Sequence, residues 1–443
     1  MKKNVTIYVS NMSEDIWEFI DSFNDFKMKS FEIQENARLA DQHLHGVCDE
    51  KELVFISPYV LEQDFVEYIK SLYQFNSLNL FSPEKHTGEI CTDLINDKKL
   101  FMQLKKILDE YSQVTLKSYS ASQQFYLLKN RLIAEGYSVV TPESPTDEAA
   151  WTVNFFGSKS GIRQLAHMTS IEEPDFQVAE GLICMGIFEA SRIAANKYLK
   201  KRGVVIKTNK GHSGSGVLIF REGDLPNEYH NCQQKLESIL SKDNYWVQFP
   251  IVVEDLVNVN LKVGGGFPNT EYLIKGNGEI ELLYYGGLIV TDQGVFKGME
   301  IGDNVFNDRF LASIIDFGYF IGEKYSKFGY RGYYDVDMIA SKNGNIYVSE
   351  SNTRRTGSTH VYQSLSNLIG EDFVEDTYVI SNNIHYRSDK AFVKFNEVTG
   401  RVQHLMFDKN SKEGVIFTSA NILSQNAVGY IIVSPTKRRT VEI

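Results

Sequence analysis

The chain has 443 residues, of which 42% are hydrophobic and 23% are charged, and its formal net charge is −11. This length exceeds one compact core and predicts two or three domains, while 24 Tyr and 28 Phe argue against long disordered stretches. The acidic balance would repel a phosphate backbone, so we expect no nucleic-acid partner.

The cysteines and the apolar runs indicate the compartment. The cysteines are far apart and form no C-x-x-C motif, which predicts reduced core thiols and neither a zinc site nor a disulfide framework. They are Cys48, Cys91, Cys184 and Cys232. The N-terminal MKKNVTIYVS alternates apolar and polar residues, which is typical of a strand and not of a signal peptide. The most apolar later stretch, Gly181 to Ile187, is far shorter than the ~20 residues that cross a bilayer. We therefore expect a cytoplasmic protein without a membrane partner.

Short β-rich runs alternate with helical patterns in the first part of the chain. The runs are Val5 to Val9, Leu53 to Ile56, Val114 to Tyr119 and Tyr137 to Thr141, and the helical patterns are Leu100 to Tyr111 and Ser122 to Glu135. This alternation predicts an α/β layer. The segment TPESPTDEA, Thr141 to Ala149, concentrates Pro, Ser and acidic residues, which predicts a domain boundary near residue 150.

The rest of the chain mixes helices and strands. Helices are predicted at Lys159 to Met168, Gly186 to Lys200 and Asn307 to Tyr325, a β-hairpin ends near Glu350, and tail strands are predicted at Ala391 to Phe395 and Gly429 to Val433. The whole chain is thus of the α/β (α+β) class. We divide it into an N-terminal domain at 1–150, a central domain at 151–369 and a small mixed region at 370–443.

A glycine-rich loop joins two β runs, Val204 to Lys207 and Val217 to Phe220. The loop contains Gly211, His212, Ser213, Gly214, Ser215 and Gly216. It is not a Walker loop, because a strand and not a helix follows, and it does not align with a Gly-x-Ser-x-Gly nucleophile elbow. Its backbone N–H groups could close over phosphates, with Lys207 as a fixed positive charge. The alternative is an ordinary surface hairpin with a snorkelling lysine.

The segment YDVDMIASKNGNIYVSESNTRRTGSTH predicts a metal site. A two-residue turn at Asn343-Gly344 would place Ile339 opposite Val348, Ser341 opposite Ile346 and Asp337 opposite Glu350. Two carboxylates about 5 Å apart across strands repel unless one is protonated or a cation lies between them. Asn352 would share their face, and three oxygen donors suit Mg²⁺. The alternative is that both acids are solvated on an exposed face.

Two arginines follow this motif directly. Arg354 or Arg355 could bind a substrate carboxylate or a transferring phosphoryl group, and the sequence leaves open which of them points inward. A surface role for one of them is compatible with the pattern, and His360 can equally be a structural histidine. Arg354 is the candidate catalytic residue.

In this order the residues resemble the ATP-grasp superfamily, over roughly Trp151 to Gln363. The glycine loop resembles the hairpin that clamps nucleotide phosphates in that family. Glu350-Ser-Asn352-Thr-Arg354 resembles its metal and substrate motif, and Asp337 stands at the first metal-binding acid. The resemblance implies a pre-ATP-grasp-like N-terminal domain, followed by an ATP-grasp fold in which two α+β lobes clamp ATP.

The same resemblance implies further site residues. Lys159, in FGSKSGIRQLA, and Lys207 would be the two phosphate-binding lysines, and the interlobe segment Glu254, Asp255, Leu256, Val257 would read adenine through its backbone. The cofactors implied are ATP and Mg²⁺, as two ions that Mn²⁺ can replace. T-G-S-T-H and the preceding α/β layer are similar to stand-alone pheganomycin-type peptide ligases. One departure is Asp335, where some amino-acid ligases carry a substrate-binding arginine; Arg331 is nearby but displaced, and is the second candidate catalytic residue.

These features predict an ADP-forming carbon–nitrogen ligase. A small carboxylate, an amino acid or peptide, would be activated as an acyl phosphate and transferred to an amine. One alternative is a thiol acceptor on a carrier protein, a second is a small-molecule phosphotransferase, and a third is a binding protein without turnover. The sequence identifies neither the acid nor the acceptor, and it leaves the oligomeric state open, including a dimer.

Overall fold

The computed structural model of the protein describes residues 4–211, 216–387 and 394–443. Its first layer is a five-stranded parallel sheet in the order β3-β2-β1-β4-β5. The strands are β1 (Asn4–Val9), β2 (Glu52–Ile56), β3 (Ser77–Phe81), β4 (Gln113–Ser118) and β5 (Val139–Val140). The helices of this part are α1 (Met12–Asp15), α2 (Trp17–Asp21), α3 (Phe26–Arg38), α4 (Gln63–Leu72), α5 (Ile90–Asn96), α6 (Lys98–Leu108) and α7 (Gln123–Ala134).

The sequence pattern explains most of this first layer. Val5, Ile7 and Val9 of β1 are buried against helix residues such as Leu104 and Phe125, so both the strand and the helical periodicities are confirmed. The strand β3 was not predicted. It lies at the sheet edge, and its partly exposed Ser, Leu and Asn residues give a weak strand signal.

A four-stranded antiparallel sheet with the order β6-β9-β7-β8 follows. The strands are β6 (Gly181–Cys184), β7 (Gly203–Thr208), β8 (Val217–Arg221) and β9 (Ile251–Asp255), and the helices are α8 (Trp151–Phe156), α9 (Lys159–Met168), α10 (Ile187–Lys201), α11 (Tyr229–Leu240) and α12 (Tyr245–Gln248). One face of the sheet packs on α10 and α11, where Val204, Ile206 and Val253 are buried. The other face is left for the candidate site.

The third layer is an eight-stranded antiparallel sheet in the order β14-β13-β10-β11-β12-β15-β17-β16. Its strands are β10 (Pro268–Ile274), β11 (Ile280–Val290), β12 (Phe296–Ile301), β13 (Gly332–Ala340), β14 (Ile346–Asn352), β15 (Tyr378–Tyr386), β16 (Gly414–Ser419) and β17 (Ala427–Ser434). The helices are α13 (Asp308–Lys327), α14 (Thr359–Leu368), α15 (Phe373–Asp376), α16 (Phe395–Arg401) and α17 (Lys437–Glu442). Short 3₁₀ helices span Ala40–Val47, Asp147–Ala149, Gly264–Gly266, Gln403–Leu405 and Asn421–Gln425.

The C-terminal region extends this sheet, because β15 pairs with β12. The division at residues 150 and 369 stays a prediction. The tail strand near residue 430 is confirmed as β17. The predicted strand Ala391 to Phe395 is wrong at its end, since Phe395 is buried and begins α16, while Ala391 to Val393 lie outside the described residues.

All four cysteines are free and buried, as predicted. Among the described residues, no helix combines the length and the apolar character needed to cross a lipid bilayer.

Candidate active site

The β13–β14 hairpin carries the predicted metal-binding acids. Its loop has three residues, Lys342 to Gly344, because Ser341 N donates to Asn345 O at 2.9 Å and Gly344 has a φ of +91°. The predicted two-residue turn is therefore wrong by one residue. The glycine supplies the left-handed conformation that such a three-residue loop needs at its third position.

This difference shifts the strand pairs next to the loop. The predicted pairs Ile339–Val348 and Ser341–Ile346 are wrong; the observed pairs are Met338–Val348, Ile339–Tyr347 and Ala340–Ile346. A β-bulge then adds Ser349 to β14, and beyond it Asp337 pairs with Glu350. The two deviations cancel, so the acidic pair lies where the sequence predicts it.

Asp337 lies among acids and amides. Its side chain accepts hydrogen bonds from Asn269 Nδ2 at 2.8 Å and from Asn352 Nδ2 at 3.3 Å. Burial and the neighbouring carboxylates of Asp335 and Glu350 hold the pKa of Asp337 well above its usual range. The acids therefore do not diverge into water, and the alternative of two solvated side chains is excluded.

Lys159 ties the central lobe to this hairpin. It is the first residue of α9, where the Ser158 side chain caps the helix by accepting from Gly161 N at 3.0 Å. A Cβ at Gly157 would lie 2.4 Å from Thr353 Oγ1, so glycine allows the helix start to approach β14. Lys159 Nζ pairs with Glu350 Oε1 at 2.7 Å; burial would raise the pKa of Glu350, but Lys159 together with Lys207 and Arg354 lowers it.

Lys207 is the second buried lysine of the site. Its Nζ pairs with Glu254 Oε2 at 2.7 Å and donates to Ser349 Oγ at 3.2 Å, so the bulged residue contacts the phosphate-binding candidate. Glu254 also accepts from Arg163 Nη2 at 2.5 Å. Burial would raise the pKa of Glu254, but Lys207 and Arg163 together lower it. The structure thus brings both predicted lysines to one face.

The end of β9 and the residues after it form the predicted adenine-binding segment. Asp255 pairs through its side chain with Lys197 Nζ at 2.6 Å and turns away from the acids. Leu256 and Val257 follow the last strand residue, and Leu256 lies against Gly203 of β7, where a Cβ would be 2.6 Å from the Leu256 side chain. The binding of adenine by the backbone of this segment stays a prediction.

The glycine loop lies between β7 and β8, as predicted. Lys207 pairs with Val217, and Thr208 N donates to Gly216 O at 2.8 Å. Gly216 has a φ of +78°. Gly211 is described as the end of the first arm, whereas His212, Ser213, Gly214 and Ser215 lie outside the described residues.

Arg354, and not Arg355, touches the predicted metal set. Arg354 Nη2 donates to Asn352 Oδ1 at 3.0 Å, and Nε pairs with Asp15 at 2.7 Å. Arg355 instead pairs with Glu143 at 2.6 Å and is buried. The sequence left open which of the two arginines points into the site, and in the structure it is Arg354.

Arg331 is not brought to this cluster. Its guanidinium donates to Ser326 O at 3.1 Å, to Tyr330 O at 2.7 Å and to Gly276 O at 3.3 Å, so it bonds carbonyls at the end of α13 and in the β10–β11 turn. The catalytic role of Arg331 stays a prediction. His360 is 3% exposed, and burial lowers its pKa to about 3, which fits a neutral structural histidine.

Sequence reasoning missed four contacts of this site: Asn269, Arg163, Asp15 and Tyr119. Arg163 lies one helical turn after Lys159, so the i, i+4 spacing could have indicated it. The other three lie in β10, at the end of α1 and just after β4, far away in the sequence, and have no local signal.

The oxygen donors of this site fit a hard divalent cation. No group of three or more His, Cys, Asp and Glu side chains arranged for a metal occurs in residues 4–211, 216–387 and 394–443. The candidate ligands are the carboxylates of Asp337 and Glu350 and the amide of Asn352. Magnesium binds such oxygen donors together with phosphate oxygens. Burial and the carboxylates of Asp335 and Glu350 raise the pKa of Asp337, and a cation between these carboxylates would oppose their repulsion. A half-turn of the Asn352 amide would bring its oxygen beside Asp337, since Nδ2 already points there.

Comparison with known proteins finds the same fold in solved structures. No protein-family model and no curated protein sequence matches the chain. A biotin carboxylase–βγ-ATP complex from Campylobacter jejuni has a TM-score of 0.57 at 12% identity, covering 99% of this chain and 89% of that one. The biotin carboxylase domain dimer of Hydrogenobacter thermophilus 2-oxoglutarate carboxylase, with MgADP and bicarbonate, has a TM-score of 0.54 at 12% identity, covering 99% and 88%.

An N5-carboxyaminoimidazole synthase from Aspergillus clavatus, with ADP and 5-aminoimidazole ribonucleotide, has a TM-score of 0.52 at 10% identity and covers 100% of this chain and 97% of that one. At such identities the likeness shows a shared fold. The finer resemblance to pheganomycin-type ligases stays a prediction. The predicted fold class is confirmed: the chain has a mixed α/β fold that it shares with these biotin carboxylase and N5-carboxyaminoimidazole synthase structures along its whole length.

Proposed function

We propose that the protein is an ATP-dependent carboxylate–amine ligase that releases ADP and phosphate. The observation that carries this proposal is the meeting of two buried lysines with an acidic pair across two sheets. Lys159 contacts Glu350, and Lys207 contacts Ser349 next to it, while Asp337 lies across the hairpin. Lysine side chains that can bind phosphates therefore lie next to acidic side chains that can bind a metal ion.

Each of the two lysines is paired with a carboxylate. In the described structure Lys159 and Lys207 form ion pairs with Glu350 and Glu254. Nucleotide phosphates would replace these partners, because a phosphate offers more charge and more acceptor oxygens than one carboxylate. Leu256 and Val257 would meet the adenine through their backbone groups, as the resemblance implies.

Glu350 would then lose its pairing with Lys159 and could bind a cation together with Asp337. Asp337, Glu350 and Asn352 would hold magnesium, which when bound neutralises phosphate charge and orients the terminal phosphoryl group. A substrate carboxylate oxygen would attack the γ-phosphorus, breaking its bond to the bridging oxygen and giving ADP and an acyl phosphate. Arg354 would orient this anion, and an amine would then attack the carbonyl carbon, expel phosphate and lose a proton.

A phosphate-release screen tests the proposal. ATP and Mg²⁺ are incubated with pooled amino acids, peptides and bicarbonate, with and without amines, and products are identified by mass spectrometry. Bicarbonate is included because the Hydrogenobacter thermophilus neighbour was solved with it. Substrate-dependent phosphate with a new amide supports the proposal. A thioester, or a phosphorylated product without free phosphate, would instead support the thiol-acceptor or phosphotransferase alternative.

Glu350→Gln provides the matched inactive variant. It keeps the size of the side chain but removes the charge that Lys159 and the cation use, so ATP turnover should fall to background while the circular dichroism spectrum is retained. Glu279→Gln changes an exposed acid of the β10–β11 hairpin and should retain full turnover. Normal turnover in Glu350→Gln would refute the metal assignment.

A further inference from the structure

Arg354 ends in a crevice of the N-terminal sheet. The strands β1 and β4 are adjacent in the order β3-β2-β1-β4-β5, and the chain proceeds outward from them in opposite directions. Their carboxyl ends therefore border the place where the strand order reverses, where open α/β sheets bind ligands. Asp15 follows β1, Tyr119 and Ser120 follow β4, and Arg354 reaches between them.

The guanidinium of Arg354 is almost fully engaged. Its Nε donates to Asp15 Oδ2 at 2.7 Å, and Nη1 donates to Tyr119 Oη and to Arg355 O, both at 2.9 Å. Nη2 donates once, to Asn352 Oδ1 at 3.0 Å. Of five N–H groups, one on Nη2 is without a partner among the described residues. Nη2 is the guanidinium nitrogen that contacts the predicted metal ligand Asn352.

Asp15 is itself held in place. Its Oδ1 accepts from Ser120 Oγ at 2.8 Å, and its side chain is 13% exposed. Burial would raise the pKa of Asp15, but Arg354, Lys210 and the hydrogen bond from Ser120 together lower it, so the pair is charged. The partner of Arg354 is thus a fixed carboxylate from the N-terminal sheet and not a flexible surface acid.

Other acids compete for the same guanidinium. The charge of Arg354 also acts on Asp335, Asp337 and Glu350, which lie on the hairpin side of it. Without Asp15, the guanidinium would gain most by turning towards these carboxylates. It would then neutralise the acids that a cation needs and withdraw its free N–H from the phosphoryl group.

We propose that Asp15 is a positioning residue that holds Arg354 away from the metal-binding acids and directs its Nη2 edge at the reacting anion. The inference rests on the proposed function for the identity of that anion. Its consequence for metal binding is independent of turnover. Asp15→Asn should weaken metal binding because Arg354 is misplaced, and removal of Arg354 should reverse the effect.

Manganese binding provides the direct measurement. Free Mn²⁺ is titrated by electron paramagnetic resonance with the full chain and a non-hydrolysable ATP analogue. Asp15→Asn should raise the Mn²⁺ dissociation constant about tenfold, as expected for one mispaired buried charge. Asp15→Asn with Arg354→Ala should restore it to within about twofold of Arg354→Ala alone, because the two effects pass through one contact. A merely structural defect would not be reversed by a second substitution.

The kinetic readout separates the two roles of Arg354. In Asp15→Asn, kcat should fall about a hundredfold through misorientation, and the double variant should not recover it. Asp21→Asn, which removes an exposed acid of α2 paired with Lys29, should change neither quantity. Unchanged Mn²⁺ affinity in Asp15→Asn, or a double variant that stays weak relative to Arg354→Ala, would overturn the inference. Failure of the proposed function alone would appear as no phosphate release from the wild-type protein with the Mn²⁺ results intact.

Discussion

Two carboxylates, Glu143 and Asp337, lie in densely packed parts of the molecule. Cations surround Glu143, whereas other acids surround Asp337. Glu143 forms ion pairs with Arg355 and Lys117, each at 2.6 Å. Burial would raise the pKa of Glu143, but the two cations outweigh it and lower the pKa to about 2. Its charge is therefore balanced within the protein.

Asp337 has no such balance. In the part of the chain that the structure describes, its side chain accepts only from the amides of Asn269 and Asn352. Burial and two neighbouring acids raise its pKa well above the usual range. A paired buried acid therefore supports the fold, whereas an acid left among acids lowers stability and is suited to an external cation.

Asp337→Asn should produce the largest functional effect. Loss of one metal-binding carboxylate should lower kcat by roughly 10³-fold, about 4 kcal/mol of transition-state stabilisation. Relief of the repulsion among the acids should at the same time raise the free energy of unfolding by about 1 kcal/mol. Phosphate release and urea unfolding without metal measure the two changes. A variant that is both less active and less stable would contradict the view that Asp337 is an unbalanced acid.

Glu143→Gln should show the reverse pattern. The substitution leaves Arg355 and Lys117 buried with one carboxylate fewer, which should lower the free energy of unfolding by about 3 kcal/mol. Turnover per folded molecule should stay within about threefold, because Glu143 contacts neither the acids nor the lysines of the site. Denaturant unfolding, together with activity normalised to the folded fraction, checks both. Unchanged stability would show that the pair does not support the fold.

The pH dependence of stability should follow Glu143. Its pKa of about 2 in the folded protein is below its ordinary value near 4.5, so ionised Glu143 stabilises the fold above pH 4.5. This contribution is lost as the pH falls through the folded pKa, and it should decrease by about 2 kcal/mol between pH 5 and pH 3. Denaturant unfolding at the two pH values measures it. Glu143→Gln should show a correspondingly shallower fall, and an identical fall in both proteins would exclude the ion pairs as the cause.

The acidic pair could be predicted from the sequence because its geometry is local. The turn signal at Asn343-Gly344 and the two-residue periodicity of a β-strand predicted that Asp337 lies opposite Glu350. The prediction succeeded although two details failed, the three-residue loop and the bulge at Ser349, and these cancel. Neither a G1-type loop nor a bulge is distinguished by residue pattern alone, since both depend on packing against the neighbouring strand.

The contacts of Arg354 could not be predicted in the same way. Asp15 lies 339 residues away in the sequence, and Tyr119 lies 235 residues away. No periodicity links such positions, because they meet only when the N-terminal sheet packs on the hairpin. Lys159 was identified only through resemblance to a family, for the same reason, whereas Lys207 was also indicated by its place at the start of the glycine-rich loop.

Tyr119→Phe should have the smallest effect and tests how Arg354 is held. The phenol oxygen accepts one of four hydrogen bonds from the guanidinium, while the ring stays stacked on His43 with 4.8 Å between centroids. Loss of one acceptor of a charged donor should cost about 1 kcal/mol, or roughly fivefold in kcat, since Asp15 still fixes Nε.

Tyr333→Phe is the matched control on the Glu143 side. Arg355 stacks on the face of the Tyr333 ring, 4.1 Å from its centroid, and the hydroxyl bonds Gln363 instead. Its removal should therefore leave kcat unchanged. Equal losses from the two tyrosine substitutions would mean that both arginines respond to general packing. A loss confined to Tyr119→Phe would show that only the guanidinium beside the unbalanced acids needs an exact orientation.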